Sequence, residues 1–333
     1  MIFHPLIIAL YIASLLTSFM VLYSSCFGVQ ILRRWDLRSG SELQLSLERK
    51  TYLISTLLAY LFGSQLLSLF LYIFTADRLH AFFVGAMCAA GSLYLNSFGY
   101  PTLILKIINF LFAGLWLILN YVDNRGYDYP LIKKKYAFLL LTAPLILAEM
   151  ILQANYFLGL KPDIITSCCG SLFSSAGIGL VSEISALPSI PMKIGFYISI
   201  FFTVVSGLYL YWRGRGGYLF SLMSGVTFVI SILSILSFIS LYFYELPTHH
   251  CPFCILQAEY GYVGYPLYLT LLGGTLSGMG VGILLPFRNT KSLLEVIPSV
   301  QRRLVLTSLI SFLIFTAIVT GRMVVSEFIL EGY

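Results

Sequence analysis

The stretch Thr-His-His-Cys-Pro-Phe-Cys, residues 248–254, places two histidines directly before a Cys-x-x-Cys pair. Two thiols at this spacing can close a disulfide, carry two electrons or bind a soft metal ion. We predict thiol–disulfide chemistry at Cys251 and Cys254, because a histidine cation beside a thiol stabilises the thiolate. Two alternatives stay open: a structural disulfide, and a metal site with the ligands His249, His250, Cys251 and Cys254.

A second cysteine pair, Cys168 and Cys169, consists of neighbours in the sequence. Adjacent Cα atoms are about 3.8 Å apart, which is below the ~4.4–6.8 Å that a relaxed disulfide spans. A bridge between these two residues is therefore strained and easily reduced, or one of them pairs with Cys251 or Cys254. Both cases suit thiol exchange, and the alternative is a staple that ties two loops together.

The composition places these motifs in a membrane protein. Hydrophobic residues make up 59% of the chain and charged residues 10%, and the mean hydropathy is +0.90. A soluble domain carries roughly 25% charged residues. We therefore predict an all-α, polytopic integral membrane protein whose partner is the lipid bilayer, and the net charge of +6 does not indicate nucleic-acid binding.

Charge-poor segments of about 20 residues or more are long enough to cross the hydrocarbon core as helices. The sequence contains eight such segments, at 5–31, 51–75, 101–122, 136–158, 192–212, 217–242, 266–286 and 304–325. The loops that connect these segments are too short to form a hydrophobic core of their own. The prediction is therefore a single membrane domain over 1–333, with about eight transmembrane helices and no soluble domain.

The basic residues predict how this domain is oriented. Fifteen of the 20 lysines and arginines follow the first, third, fifth and seventh segments: Arg33, Arg34, Arg38, Arg49, Lys50, Arg125, Lys133, Lys134, Lys135, Arg213, Arg215, Arg288, Lys291, Arg302 and Arg303. The positive-inside rule makes this side cytoplasmic. Both termini and the loops 76–100, 159–191 and 243–265 are then exoplasmic, in a bacterial-type inner membrane.

The segment 80–98 is also apolar, but if it crossed the membrane, the basic loop after the third predicted helix would lie on the exoplasmic side. We predict a re-entrant or interfacial element instead, because its small residues allow close packing against helices. Five of the six cysteines, Cys88 included, then lie on the exoplasmic side, and Cys26 alone does not. Disulfides form and persist on that side of a bacterial membrane.

Cysteine pairs in two exoplasmic loops of a helical bundle resemble the arrangement in DsbB-type disulfide-generating enzymes and vitamin K epoxide reductases. In those families a Cys-x-x-Cys beside a membrane quinone takes electrons from a second, loop-borne pair. The resemblance implies that Cys251 and Cys254 are the quinone-proximal pair, and that Cys168 and Cys169 are the shuttle pair. It is a likeness of arrangement over a small part of the chain, because those families have fewer helices and non-adjacent shuttle cysteines.

Other candidate residues lie within the predicted helices. An ionisable side chain in hydrocarbon is costly, so Glu149 is predicted either to take part in a proton route or to form a buried pair with Lys106. Gly274 and Gly278 have the spacing that lets a helix approach closely, or that exposes backbone to a flat ligand. Together with Tyr265, these two glycines are the predicted quinone contacts.

The leading functional prediction is a membrane redox protein, with thiol–quinone oxidoreductase as its candidate activity. It would pass electrons between an exoplasmic redox protein and membrane quinone through the dithiol. One alternative is a membrane anchor subunit of an electron-transfer complex that docks a periplasmic cytochrome, with structural cysteines. The other is a metal-handling membrane protein with a Cys/His site.

Overall fold

A computed structural model describes residues 3–36, 41–161 and 188–328. All regular structure in these ranges is helical, which confirms the predicted all-α class. The α-helices are α1 (Pro5–Arg34), α2 (Glu42–Leu79), α3 (Ala89–Tyr94), α4 (Gly99–Asp123), α5 (Ile132–Leu158), α6 (Ser189–Arg213), α7 (Gly217–Ser234), α8 (Ser240–Tyr244), α9 (Gly264–Leu284) and α10 (Val296–Val325).

Eight helical stretches in the described residues are long and apolar enough to cross a membrane. They are Pro5–Arg34, Glu42–Phe82, Gly99–Asp123, Ile132–Leu158, Ser189–Arg213, Gly217–Tyr244, Gly264–Phe287 and Val296–Val325. Each of them contains one of the segments that hydropathy predicts. The polytopic membrane fold is therefore confirmed.

The segment 80–98 contains no membrane-spanning helix, as predicted. Its structure is a 3-10 turn at His80–Phe82, a reversal at Gly85 and the six-residue helix α3. A helix of that length rises about 9 Å, far less than the ~30 Å of the hydrocarbon core. Gly85 has a φ of 89°, a left-handed conformation that glycine adopts without steric cost, and so the chain can turn back here.

The described residues divide into two compact units. Unit 1 takes in 3–36, 41–75, 93–161 and 286–299, and unit 2 takes in 76–92, 188–285 and 300–328. Each unit is described by itself below. That the whole chain forms one membrane domain stays a prediction.

In unit 1, helix α5 packs against both α1 and α4. The core contains edge-on aromatic pairs, with the ring centroids of Phe62 and Trp116 5.0 Å apart and those of Phe27 and Tyr136 6.0 Å apart. A buried ion pair closes the α4–α5 hairpin, because Lys135 at the start of α5 lies 2.8 Å from the Asp123 carboxylate at the end of α4.

In unit 2, helix α7 packs against both α6 and α9. Two left-handed glycines make the tight turn between α6 and α7, Gly214 with a φ of 66° and Gly216 with a φ of 88°. The turn sets the two helices side by side and brings Phe220 of α7 into a core with Val281 of α9 and Leu309 of α10. This packing holds the C-terminal part of α9, and the N-terminal end of the same helix carries one edge of the site.

Polarity is distributed as expected for helices surrounded by lipid. Large apolar side chains such as Phe19, Leu67 and Leu222 point outward, whereas hydroxyl and amide side chains such as Thr227 and Gln153 are buried. Lipid tails solvate apolar groups, so polar groups in the membrane are placed where protein partners satisfy them.

Candidate thiol site

Two segments of unit 2 meet at the candidate site. One is the connection between α8, which ends at Tyr244, and α9, which begins at Gly264; it contains 3-10 turns at Cys254–Leu256 and Ala258–Tyr260. The other is the short stretch that leads from the His80–Phe82 turn into α3. The first segment supplies the Cys-x-x-Cys pair and the second supplies Cys88.

Cys88, Cys251 and Cys254 form a compact group of thiols, called the cysteine cluster from here on. Their three sulfur atoms all lie within 4.8 Å of one another, and the sulfurs of Cys88 and Cys251 are 3.6 Å apart. All three cysteines are buried, with exposed fractions of 0%, 0% and 6% in the order given above. Three sulfurs so close together can exchange a disulfide bond or bind a metal ion.

Two tyrosines hold the Cys-x-x-Cys turn by its backbone. The Tyr244 hydroxyl donates to the Cys251 carbonyl at 2.5 Å and accepts from the Ile255 amide at 3.0 Å. The Tyr268 hydroxyl donates to the Pro252 carbonyl at 2.6 Å. Because these tyrosines come from the end of α8 and from α9, the helices themselves set the conformation of the turn.

Cys88 is positioned by hydrogen bonds around its own backbone. The side-chain amide of Gln257 donates to the Met87 carbonyl at 2.9 Å and to the Asp77 carboxylate at 3.0 Å. The Ala90 amide donates to the Cys88 sulfur at 3.4 Å. Gln257 thus connects the segment of Cys88 to the Cys-x-x-Cys segment.

The two histidines before the Cys-x-x-Cys pair have different surroundings. His249 Nε2 lies 3.4 Å from the Cys254 sulfur, and its ring packs edge-on against Tyr244, with ring centroids 4.6 Å apart. His249 therefore approaches the cluster through Cys254.

His250 is buried and bonds to a backbone group of the helical core. Its Nδ1 lies 2.8 Å from the carbonyl of Leu236, within the π-helical turn Ile235–Ile239 that joins α7 to α8. Burial lowers the pKa of His250 below its ordinary value, which favours the neutral ring at neutral pH. A neutral ring donates one hydrogen bond, and the Leu236 carbonyl accepts it. His250 thus anchors the turn just before Cys251.

The cluster contains a residue that the sequence analysis did not select as a site residue. Cys88 was counted among the cysteines of the exoplasmic side, but it was not paired with Cys251. The predicted partners, Cys168 and Cys169, lie outside the described residues, and their role stays a prediction. Within the described part of the chain, Cys26 is the remaining cysteine; it is exposed on α1 in unit 1.

Glu149 lies in unit 1 at the centre of a buried polar network. Its carboxylate accepts from Lys106 at one oxygen, and from Gln65 and Asn109 at the other, each at 2.6 Å. Lys106 also donates to Ser68 at 2.8 Å. The predicted pairing of Glu149 with Lys106 is present, and a proton route through Glu149 stays a prediction.

The predicted quinone contacts are placed as follows. A Cβ atom built on Gly274 would lie 3.3 Å from Phe312 of α10, and one built on Gly278 would lie 2.1 Å from the Ser224 hydroxyl of α7. Neighbouring helices thus fill the space beside both glycines, which gives them a packing role. Tyr265 is partly exposed at the start of α9. Quinone binding at these three residues stays a prediction.

Comparison of the chain with family models, with curated proteins and with solved structures finds no match. The cysteine cluster is therefore the feature from which a function can be proposed.

Proposed function

We propose that this chain is an integral membrane thiol–disulfide redox protein, in which Cys251 and Cys254 are the reacting pair and Cys88 is the third thiol. The observation that carries the proposal is the convergence of three cysteine sulfurs from two separate segments, with the Cys88 sulfur 3.6 Å from that of Cys251. A C-x-x-C pair can close a disulfide locally. A third thiol beside it supplies the attacking group that disulfide exchange requires.

The proposed reaction has two steps. In the first, a partner dithiol reduces the Cys251–Cys254 disulfide: the partner gains one S–S bond, and the two cysteines gain two electrons and two protons. In the second, membrane quinone takes two electrons and two protons from the two thiols and becomes quinol, and the S–S bond of the cysteines reforms. Quinone is the two-electron acceptor that a bilayer can hold beside a buried dithiol.

Cys88 gives the reacting pair a second disulfide state. Its thiolate would attack the Cys251 sulfur of the disulfide, forming a Cys88–Cys251 bond and releasing Cys254 as a thiolate. The number of electrons held by the cluster does not change in this step. Cys254 is the least buried of the three cysteines, so it is the sulfur best placed to react with a partner protein.

The proposed partner is an exoplasmic redox protein, and the distribution of basic residues supports this side. Basic residues lie at the end of α1, in the last turn of α6 and near the start of α5. Cys251 and Cys254 lie between the end of α8 and the start of α9, a connection that the positive-inside rule assigns to the exoplasm. Disulfide chemistry is favoured there because that compartment is oxidising in bacteria.

A redox titration of the purified full-length protein tests the proposal. The protein is equilibrated in thiol–disulfide buffers, trapped with a maleimide and analysed by mass spectrometry, which counts the oxidised cysteines at each potential. We expect a reversible two-electron transition at Cys251 and Cys254, with a midpoint above about −300 mV, because structural disulfides have potentials below that value. Cys251→Ser removes the sulfur that both proposed disulfides share and should abolish the transition, whereas Cys254→Ser should move it to the pair Cys88 and Cys251.

Cys26→Ser is the matched control, because it removes an exposed thiol in unit 1 and leaves the cluster intact. It should keep the wild-type midpoint. A Cys251–Cys254 bond that stays closed below about −300 mV would make the cysteines a structural staple. Three thiols that stay reduced at every potential would also exclude the redox function.

A further inference from the structure

We infer that the cysteine cluster in its reduced state is also a zinc site, with Cys88, Cys251, Cys254 and His249 as ligands, and that zinc and oxidant compete for the same thiols. The inference deepens the proposed redox function, on which the competition rests. Zinc binding itself depends only on the positions of the sulfur and nitrogen atoms, so it can be tested separately from the redox function.

The sulfur separations fit a metal better than a disulfide. With Zn–S distances of about 2.3 Å, the sulfurs of a tetrahedral site are about 3.8 Å apart. Bonded sulfurs of a disulfide are about 2.05 Å apart. The observed distance between Cys88 and Cys251 is 3.6 Å, and all three sulfurs lie within 4.8 Å of one another. Zinc can therefore bind after small side-chain movements.

His249 is the candidate fourth ligand. A tetrahedral zinc site with Zn–N of about 2.0–2.1 Å places a ligand nitrogen about 3.6 Å from a ligand sulfur. His249 Nε2 lies 3.4 Å from the Cys254 sulfur. Among the described residues, the group of possible ligand atoms that lie within 4.8 Å of one another contains the three sulfurs only. The His249 imidazole must therefore rotate about its side-chain torsions to complete the site.

The surroundings of the sulfurs also suit a thiolate metal centre. The spacing of Cys251 and Cys254 is that of a zinc-binding Cys-x-x-Cys turn. The Ala90 amide donates to the Cys88 sulfur, and hydrogen bonds of this kind orient and stabilise metal-bound ligands. Burial of all three cysteines keeps water from competing for the ion. Three thiolates and a neutral imidazole leave the zinc complex with one negative charge.

Zinc binding changes the redox equilibrium because the ion requires the reduced pair. Oxidation of zinc-bound Cys251 and Cys254 by quinone consumes two protons, forms the S–S bond and quinol, and releases Zn²⁺. Zinc therefore stabilises the dithiol over the disulfide. For a two-electron couple the midpoint should rise by about 30 mV for every tenfold increase in free zinc above its Kd.

The test begins with metal binding to the reduced, full-length protein in detergent. Co²⁺ serves as the spectroscopic probe, and bound metal is counted by mass spectrometry. We expect one Co²⁺ per chain, with thiolate charge-transfer bands and the intense visible bands of a tetrahedral site, and displacement by Zn²⁺. Cys88→Ser should abolish the bands. His249→Ala should weaken binding at least about tenfold and alter the visible bands, whereas Cys26→Ser should change neither.

The zinc dependence of the wild-type midpoint is the second measurement, and it requires no variant to fold. A rise of about 30 mV per tenfold of zinc supports the inference. If the midpoint potential does not change with zinc concentration and the protein retains no metal, the zinc inference is wrong and the redox function is unaffected. One bound zinc per chain without any reversible oxidation removes the redox function and keeps the site. If Cu⁺ binds and His249→Ala has no effect, the zinc assignment gives way to a three-sulfur copper site.

Discussion

The Tyr244 hydroxyl connects both sides of the Cys-x-x-Cys turn, since it bonds to the carbonyl of Cys251 and to the amide of Ile255. Tyr244→Phe keeps the ring and removes both of these hydrogen bonds to buried residues. We expect a loss of roughly 1–3 kcal/mol in unfolding free energy. Faster alkylation of Cys251 and Cys254 should accompany it, measured by maleimide trapping over time.

Tyr260→Phe is the control for this prediction. The Tyr260 ring packs against Tyr244 with centroids 4.9 Å apart, and the substitution retains that ring. It should change unfolding and alkylation little. Equal effects of the two substitutions would show that ring packing, and not the Tyr244 hydroxyl, holds the turn.

At the scale of single residues, the sequence predicts local chemistry and not long-range contact. Cys251 and Cys254 could be found because their thiols are three positions apart. Cys88 is 163 positions from Cys251, and its approach depends on the hydrogen bonds of Gln257 to Met87 and Asp77. No local pattern encodes those bonds. His249 and His250 look equivalent in the sequence, yet His249 contacts the Cys254 sulfur and His250 bonds to the Leu236 carbonyl of the π-helical turn.

Helix α9 depends on a close approach at Gly278. A methyl group there would lie 2.1 Å from the Ser224 hydroxyl and 2.5 Å from its Cβ, so α7 would have to shift. Gly278→Ala should cost about 1–3 kcal/mol in unfolding free energy, as overpacking does in other well-packed cores. Thermal unfolding in detergent and the amount of protein in the membrane measure this.

Gly273→Ala on the same helix is the matched control, because its nearest neighbour would be 3.9 Å away. Alanine favours a helix over glycine by up to about 1 kcal/mol, so this variant should be as stable as the wild type or more stable. If Gly278→Ala behaves in the same way, the space beside Gly278 is open and the predicted ligand contact regains support.

The buried network of α2, α4 and α5 leads to a prediction about charge. Glu149→Gln leaves the ammonium group of Lys106 buried without its carboxylate, which should cost about 3–5 kcal/mol. In the double variant with Lys106→Met, the loss should be clearly smaller than the sum of the single losses, because no unpaired charge remains. Denaturant unfolding of the four proteins gives the coupling energy.

Glu48→Gln is the control for charge removal on α2, since Glu48 is partly exposed and accepts from Gln44 at 2.9 Å. It should change stability by less than about 1 kcal/mol. Additive losses at Lys106 and Glu149 would mean that the pair is not coupled in the folded protein. That result would return Glu149 to the proton-route prediction.

At the scale of helices, hydropathy predicts the membrane-crossing segments better than it predicts helix ends. Helix α2 begins at Glu42, before the predicted start at 51, and α10 begins at Val296, before 304. The apolar segments are preceded by the charged residues Glu48, Arg49 and Lys50 in α2 and by Arg302 and Arg303 in α10, but Glu, Lys and Arg are good helix formers. The helices therefore extend beyond the segments that hydropathy identifies, and a helix end cannot be read from apolarity alone.

At the scale of the whole molecule, the described residues place many large apolar side chains on the exterior and bury many hydroxyl and amide side chains. Hydropathy predicts the membrane-spanning helices well, because lipid contact is an average property of each long segment. All eight predicted segments lie in spanning helices. The orientation of the chain in the membrane is a different property. Orientation depends on about 15 basic residues in and near the connecting loops. These charges act during membrane insertion and not through contacts within the folded protein.

The positive-inside rule predicts that the turn before the cysteine cluster faces the exoplasm. Thr248 is exposed in that turn, and Arg215 is exposed in the turn between α6 and α7. In a Cys26→Ser background, an impermeant maleimide should label Thr248→Cys in intact cells, above the labelling of the parent. Arg215→Cys should be labelled only after lysis. The opposite pattern would place the cysteine cluster on the cytoplasmic side, where thiols are kept reduced, and would remove the proposed exoplasmic redox partner.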